Sequence, residues 1–177
     1  LPFKPGDKLI ELGGGERPVI RQNVDRRRGK SVDLVWDFNE PCPLESSQFD
    51  GIFSSYAIEH IGRRRVRQFI SECVRLLKPG GLAIFVTADL KAQCAMLAAK
   101  AAWTDEDVGT IFGDQNYEGP EWDANAHHCG WSREFAIRMF QEQGFCDVQV
   151  IDHPQCATDM IIQARKSEVR IARALSD

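Results

Sequence analysis

Lys8-Leu9-Ile10-Glu11-Leu12-Gly13-Gly14-Gly15 is the stretch whose reading decides the fold. Residues 8–12 have strand character and run straight into a glycine run. Side chains at such a turn would hold a ligand away, so glycine suits a close approach of backbone to ligand. By itself the run is equally a plain tight turn. The next two strand ends give it meaning. Residues 22–25 read as a second, very short strand ending on Asp25, and 32–36 as a third, closing on Asp37 with Phe38 behind it. Successive strand ends thus carry a glycine turn, an acid and a second acid. Ligands of open α/β sheets bind outside the carboxyl ends of the strands. A carboxylate at Asp25 can accept hydrogen bonds from both ribose hydroxyls of a nucleoside. Asp37 beside the Phe38 ring suits adenine, whose amine the acid would accept and whose face the ring would cover.

Outward from this stretch the chain alternates strand-like and helical runs, which predicts a parallel sheet covered by helices. Residues 49–54 are the fourth strand, announced by the turn-forming Glu45-Ser46-Ser47-Gln48. In 63–77, Val66, Phe69, Ile70, Cys73, Val74 and Leu77 recur at helical spacing and form one apolar stripe. Pro79-Gly80-Gly81 stops that helix, and 82–87 is an unbroken apolar strand suited to the middle of a sheet. Alanine-rich 91–103 reads as the next helix. Residues 104–130 have no clean period and read as a functional loop. Ser132 caps a helix running to about residue 143, ended by Gly144. Residues 148–152 and 159–164 are closing strands joined at His153-Pro154-Gln155, and the tail from Ser167 is expected to be a short helix. Trp103, Phe135, Phe140 and Phe145 are expected in the core. With 177 residues and no linker or repeat, one domain spanning 1–177 is expected.

Composition narrows the function classes. The chain is 43% hydrophobic and 27% charged, ordinary for a globular domain. A net charge of −4 argues against a non-specific nucleic-acid binder. Arg26, Arg27, Arg28 and Lys30, and then Arg63, Arg64, Arg65 and Arg67, are local basic patches or solvated faces. Six cysteines without a C-x-x-C pair, several inside apolar runs, point to a reducing cytoplasm. No secretory signal or membrane-length apolar run is present, so no membrane partner is expected. The chain opens at Leu1 and not at a methionine, which predicts that a few residues precede it.

Glu11 to Gly15, Asp25, Asp37-Phe38, the run Phe49-Asp50-Gly51-Ile52-Phe53-Ser54-Ser55-Tyr56-Ala57-Ile58-Glu59-His60 and Leu76-Leu77-Lys78-Pro79-Gly80-Gly81 together resemble the successive motifs of class I S-adenosylmethionine-dependent methyltransferases. The match covers about residues 8–90. The stretch from Trp131 to Phe145 is similar to the family's penultimate helix. The resemblance implies a Rossmann-like, doubly wound sheet of about seven strands, mostly parallel with an antiparallel last strand. It implies S-adenosyl-L-methionine as cofactor, with S-adenosylhomocysteine as product. Glu11, Gly13, Gly14 and Gly15 would cradle the methionine part, Asp25 the ribose, and Asp37 with Phe38 the adenine. Ser54, Ser55 and Tyr56 would line the floor beside the sulfonium. One departure stands out: Gly15 and Asp25 are ten positions apart with Pro18 between them, so the first crossover helix is shortened or absent. Asp37 follows just as closely. The chain thus resembles a trimmed branch of the family, one whose acceptor is unknown.

His60, just past the fourth strand, is a candidate general base, or else Glu59-His60 closes its loop by hydrogen bonds. His128 is the second candidate base. His127 and His128 with Asp123 and Cys129 have zinc-ligand chemistry, but adjacent histidines rarely point at one ion, so no metal is expected. Residues 104–130 are expected to form a lid over the acceptor pocket, with Tyr117, Trp122, His127 and His128 touching substrate, or to be a packed surface loop. The small size and the lack of a recognition domain favour a small-molecule or glycan acceptor. A nicotinamide-dependent oxidoreductase is the rival enzyme, disfavoured because the glycines lack G-x-G-x-x-G spacing and the acid arrives too early. A non-catalytic module that keeps the cofactor fold for binding or assembly is the other alternative.

Overall fold

The computed structural model describes residues 1–115 and 123–168. Short strands come first, each ended by a polar turn: β1 (Leu9–Leu12), β2 (Asn23–Asp25) and β3 (Leu34–Val35). Longer ones follow as β4 (Phe49–Ser55) and β5 (Leu77–Ala88). A small hairpin, β6 (Gly113–Asp114) and β7 (Asn125–Ala126), precedes the closing pair β8 (Phe145–His153) and β9 (Cys156–Lys166). The main sheet has seven strands in the order β3-β2-β1-β4-β5-β9-β8. β1 to β5 are parallel, while β9 runs antiparallel to both β5 and β8. This is the α/β, mostly parallel sheet with a reversed last strand that the motifs implied.

Helix α1 (Val66–Leu76) buries Val66, Phe69, Ile70, Cys73 and Leu76, the stripe read from its spacing. Helix α4 (Arg133–Glu142), capped by the Ser132 hydroxyl on the Phe135 amide, buries Ala136, Met139 and Phe140. Both pack on the sheet face carrying Ile10, Leu12, Ile52, Ala83, Phe85 and Ile162. Burying each large side chain there contributes roughly 1.5–3 kcal/mol. The opposite face carries Phe53, Leu82, Ile84 and Val86, and the side chains packed on it are Phe3 and Ile20 from irregular segments and Ile161 of β9. That follows from the missing crossover helices: residues 13–22 and 26–33 hold turns and bends and no helix.

Three local expectations are revised. β5 starts at Leu77, so Pro79-Gly80-Gly81 lies within it, at a register shift against β4 between Phe49 and Gly51. The helix has ended before this motif, with Leu77 already extended, and Gly80, at φ +76°, bends the strand near its start. The alanine-rich helix α2 (Leu90–Ala98) stops well before Trp103, which is therefore 54% exposed instead of in the core. Its indole N–H caps the helix end through the Leu97 carbonyl. Third, the stretch read as a loop contains α3 (Asp105–Phe112), started by a Thr104–Asp107 capping box. The expected tail helix lies largely outside the described residues. All six cysteines are free thiols.

Candidate functional site

The turn after β1 is held by polar side chains beneath it. Gly13 N–H donates to the Val24 carbonyl, which ties the turn to β2. Asn23, fully buried, accepts from Gly14 N–H at 3.2 Å and donates to the carbonyls of Gly15 and Ser31, both at 2.8 Å. Glu11 is also buried, and its Oε2 accepts from the backbone N–H groups of Val19 and Ile20, both at 2.6 Å. Those bonds favour its charged form, but burial outweighs them and pushes its pKa up. Asp25 accepts from Gly15 N–H and Arg27 N–H. Glycine is required at two places here. A Cβ on Gly13 (φ +83°) would stand 2.3 Å from that of Ala57, and one on Gly14 would stand 2.6 Å from Asn23 Oδ1.

The ends of β1, β2 and β3 meet around one open cleft of about 590 Å³, counted to its mouth. Gly13, Asp25, Asp37 and Phe38 line one part of it, with Asn39, Arg26 and Arg27. Among the described residues, Asp37 uses only Oδ1, accepting from the backbone and side-chain N–H groups of Asn39. Phe38 shows one edge to the cleft and otherwise packs on Trp36 and Phe69. Tyr56, Ala57, His60 and Ile61 form the other wall, and Ala124 and Asn125 of the hairpin stand at the mouth.

Not every expected site residue reaches this cleft. Ser54 is buried and its hydroxyl donates to the Leu12 carbonyl at 2.8 Å. Ser55, Gly14, Gly15 and Glu11 lie behind the wall or off it. Tyr56 sits at φ +50° with its phenol donating to Asp159 Oδ2 at 2.5 Å. Burial and the Asp159 carboxylate push that phenol well above its ordinary value. His60 Nδ1 bonds the Ala126 carbonyl at 3.0 Å. Burial holds the His60 pKa down, against the pull of that carbonyl, so the ring is neutral near pH 7. His128 is exposed, and only its backbone N–H turns inward, to the Glu59 carbonyl. Its neighbour His127 faces inward instead, with its ring 5.1 Å from that of His60. Tyr117 and Trp122 lie outside the described residues. Sequence reasoning passes over Asn23, Asp159 and Ala57, whose parts depend on contacts between distant segments.

Comparison with known proteins fits this geometry. Residues 17–85 match the family model described as a methyltransferase domain. No curated protein matches the chain. Among solved structures the chain is similar to a SAM-dependent methyltransferase of Thermotoga maritima (TM-score 0.63, 17% identity, over 93% of this chain and 84% of that one). It is similar to an S-adenosylmethionine-dependent methyltransferase of Mesorhizobium loti (TM-score 0.62, 15% identity, 94% of each chain). It also resembles Haemonchus contortus phosphoethanolamine N-methyltransferase 2 bound to S-adenosyl-L-methionine (TM-score 0.63, 15% identity, 94% of this chain and 50% of that one). At such identities the structural likeness speaks for the fold. The matched segment is that of a methyltransferase domain, and the fold is the one these S-adenosylmethionine-dependent methyltransferases share. Among the described residues, no helix is long and apolar enough to cross a membrane.

Proposed function

We propose that this chain transfers the methyl group of S-adenosyl-L-methionine to a small-molecule or glycan acceptor at the cleft between Gly13, Asp37 and Tyr56. The observation that carries the reading is the meeting of the glycine turn, Asp25 and Asp37 around one hollow. The residues suit the cofactor: a Cβ on Gly13 would intrude on the neck of the cleft, and Asp37 keeps Oδ2 free of the bonds to Asn39. The cofactor supplies a methyl on a positive sulfur, and the acceptor's nucleophile takes it while the carbon–sulfur electron pair stays on sulfur, giving S-adenosylhomocysteine.

The protein's own groups position and desolvate. Asp25 would face the ribose hydroxyls, Asp37 would accept from the adenine amine, and the Phe38 edge would cover the base. Gly13, with Gly14 and Gly15 behind it, leaves the methionine part room beside the backbone. Glu11 and Ser54 hold the turn from beneath through their bonds to Val19, Ile20 and Leu12. Tyr56, anchored by Asp159, walls the methyl side, and Ser55 precedes it in the chain without reaching the cleft. His60 is the side chain placed to take a proton from a hydroxyl acceptor. His128, exposed, would serve only an acceptor reaching out past the mouth. The acceptor would enter beside Ala124 and Asn125, and the small size of the chain favours a small molecule or a sugar over a large polymer.

Calorimetric titration with S-adenosylhomocysteine and, separately, with NADH tests the reading. Binding of the first alone is expected, weakened about tenfold by Asp37→Ala through loss of one hydrogen bond to the base. NADH binding, or S-adenosylhomocysteine binding indifferent to both Asp37→Ala and Asp25→Ala, would overturn it. A labelled-methyl screen over hydroxy, amino and glycan acceptors then separates an enzyme from a binding module.

A further inference from the structure

We propose that Glu59, His60 and His127 form a site for one divalent cation of the zinc, cobalt or manganese kind, set in the wall of the cleft. One donor atom from each of the three lies within 4.8 Å of those of the other two. Ligands of one such ion at bonds of ~2.1 Å stand roughly 3–4 Å apart, so the three donors need to close by only about 1–2 Å to hold one. The surroundings are those of a metal-binding pair of histidines. His60 spends Nδ1 on the Ala126 carbonyl at 3.0 Å, and His127 spends Nδ1 on the Ile111 carbonyl at 3.1 Å. A carbonyl only accepts, so each Nδ1 carries the hydrogen and the lone pair of each neutral ring sits on Nε2, with the Tyr56 carbonyl also against the His60 ring. Glu59 is 4% exposed, and its Oε2 accepts from the Thr87 hydroxyl at 3.0 Å. Among the described residues, no hydrogen bond joins the three groups to one another.

A second observation lies next to the cluster. Glu59, Thr87 and His127 line a small hollow together with Trp131. Among the described residues, the buried indole Nε1–H of Trp131 finds no hydrogen-bond partner. A cation does not accept a hydrogen bond, but a water or an acceptor oxygen bound to the cation does. Two imidazoles and one carboxylate prefer zinc-like ions to magnesium or calcium, and they leave coordination positions open. From the sequence, the metal-ligand chemistry centres on the adjacent His127 and His128, where no metal is expected. The pair that meets is instead His60 and His127, brought together by the hairpin β6–β7.

What the cation does in catalysis rests on the methyltransferase reading. His60 lines the cofactor cleft, so an oxygen acceptor held on the cation would lie at its wall. The cation would favour the ionised oxygen, with the proton leaving to water, and that oxygen would form the new bond to the methyl carbon as the carbon–sulfur bond breaks. His60 then acts as a ligand and not as the base, and the acceptor class is a hydroxyl compound.

The test uses the full chain without a histidine tag, stripped with a chelator. Cobalt(II) titrated alone should produce visible absorption bands that saturate at one equivalent and vanish on adding zinc. Glu59→Gln, His60→Gln and His127→Gln should each weaken binding at least ~10-fold, and zinc should raise the melting temperature of the native chain but not of these variants. Circular dichroism confirms that each variant is folded, and His153→Gln, at the exposed β8–β9 turn, should bind like the native chain. Absence of saturable binding, or binding unchanged in both His60→Gln and His127→Gln, overturns the site. S-adenosylhomocysteine titrated into the stripped protein keeps the two readings apart: its binding without cobalt binding sinks the metal and spares the methyltransferase, and the reverse pattern does the opposite.

Discussion

Gly13→Ala adds one methyl group at the neck of the cleft. The new Cβ would stand 2.3 Å from Ala57 Cβ and 3.7 Å from Phe38 Cε2, on a backbone with φ +83°. An alanine in that left-handed conformation costs roughly 1–2 kcal/mol. Overpacking against a buried neighbour adds typically ~1–3 kcal/mol. The total, about 2–5 kcal/mol, is a large share of an ordinary domain's roughly 5–15 kcal/mol. Gly15→Ala supplies the comparison. It too has positive φ, +55°, but its nearest neighbour is Asp25 Oδ2 at 4.0 Å, so only the backbone cost of about 1–2 kcal/mol applies. Ala57→Gly separates the two parts. It removes the atom that clashes and leaves the strain on position 13, so the double variant should recover about 1–3 kcal/mol relative to the sum of the single changes. Urea unfolding of the native chain and these variants measures this, and titration with S-adenosylhomocysteine shows whether the neck has narrowed. Equal stability of Gly13→Ala and Gly15→Ala, or strict additivity with Ala57→Gly, would refute the packing argument.

Other consequences are open to simple measurement. Asn23→Ala strips partners from Gly14 N–H and from the Gly15 and Ser31 carbonyls and should cost about 2–4 kcal/mol in urea unfolding; a loss under ~1 kcal/mol would contradict its bracing role. Thr104→Ala removes the capping box of α3 and should cost about 1 kcal/mol, read from the same unfolding curves. Tyr56 should titrate well above the ordinary phenol value of 10.0, because burial and Asp159 favour its neutral form. A raised phenol stabilises the fold fully below its unfolded value, and that contribution disappears as pH climbs through the folded value. Ultraviolet titration of Tyr117→Phe, which leaves Tyr56 as the lone tyrosine, should show a late transition that Asp159→Asn brings back toward 10.0; a transition near 10.0 with Asp159 intact would count against the bond.

Much of the architecture is written in local pattern, because local pattern is what the backbone obeys first. The stripe of Phe69, Ile70 and Cys73 sets α1 by its period. The glycines after Leu12 permit positive φ at Gly13 and Gly15. The ten positions from Gly15 to Asp25 leave no room for a crossover helix, and none is found. The capping box of α3 is equally legible, in Thr104 and Asp107, but Val108, Ile111 and Phe112 on a short helix make too weak a stripe to draw notice.

What the tertiary structure alone decided is the direction of each polar side chain. Glu11 and Asp25 look alike as acids at strand ends, yet the loop 16–20 folds back under Glu11 and takes its carboxylate, while Asp25 reaches the cleft. His127 and His128 are neighbours of the same chemistry. The hairpin that carries them turns the first toward His60, far away along the chain, and the second to solvent. Spacing along the chain governs conformation within an element, but a side chain's partner is set by which distant backbone atoms the sheet brings beside it. For His60 that atom is the carbonyl of Ala126, and nothing local to either residue announces the meeting.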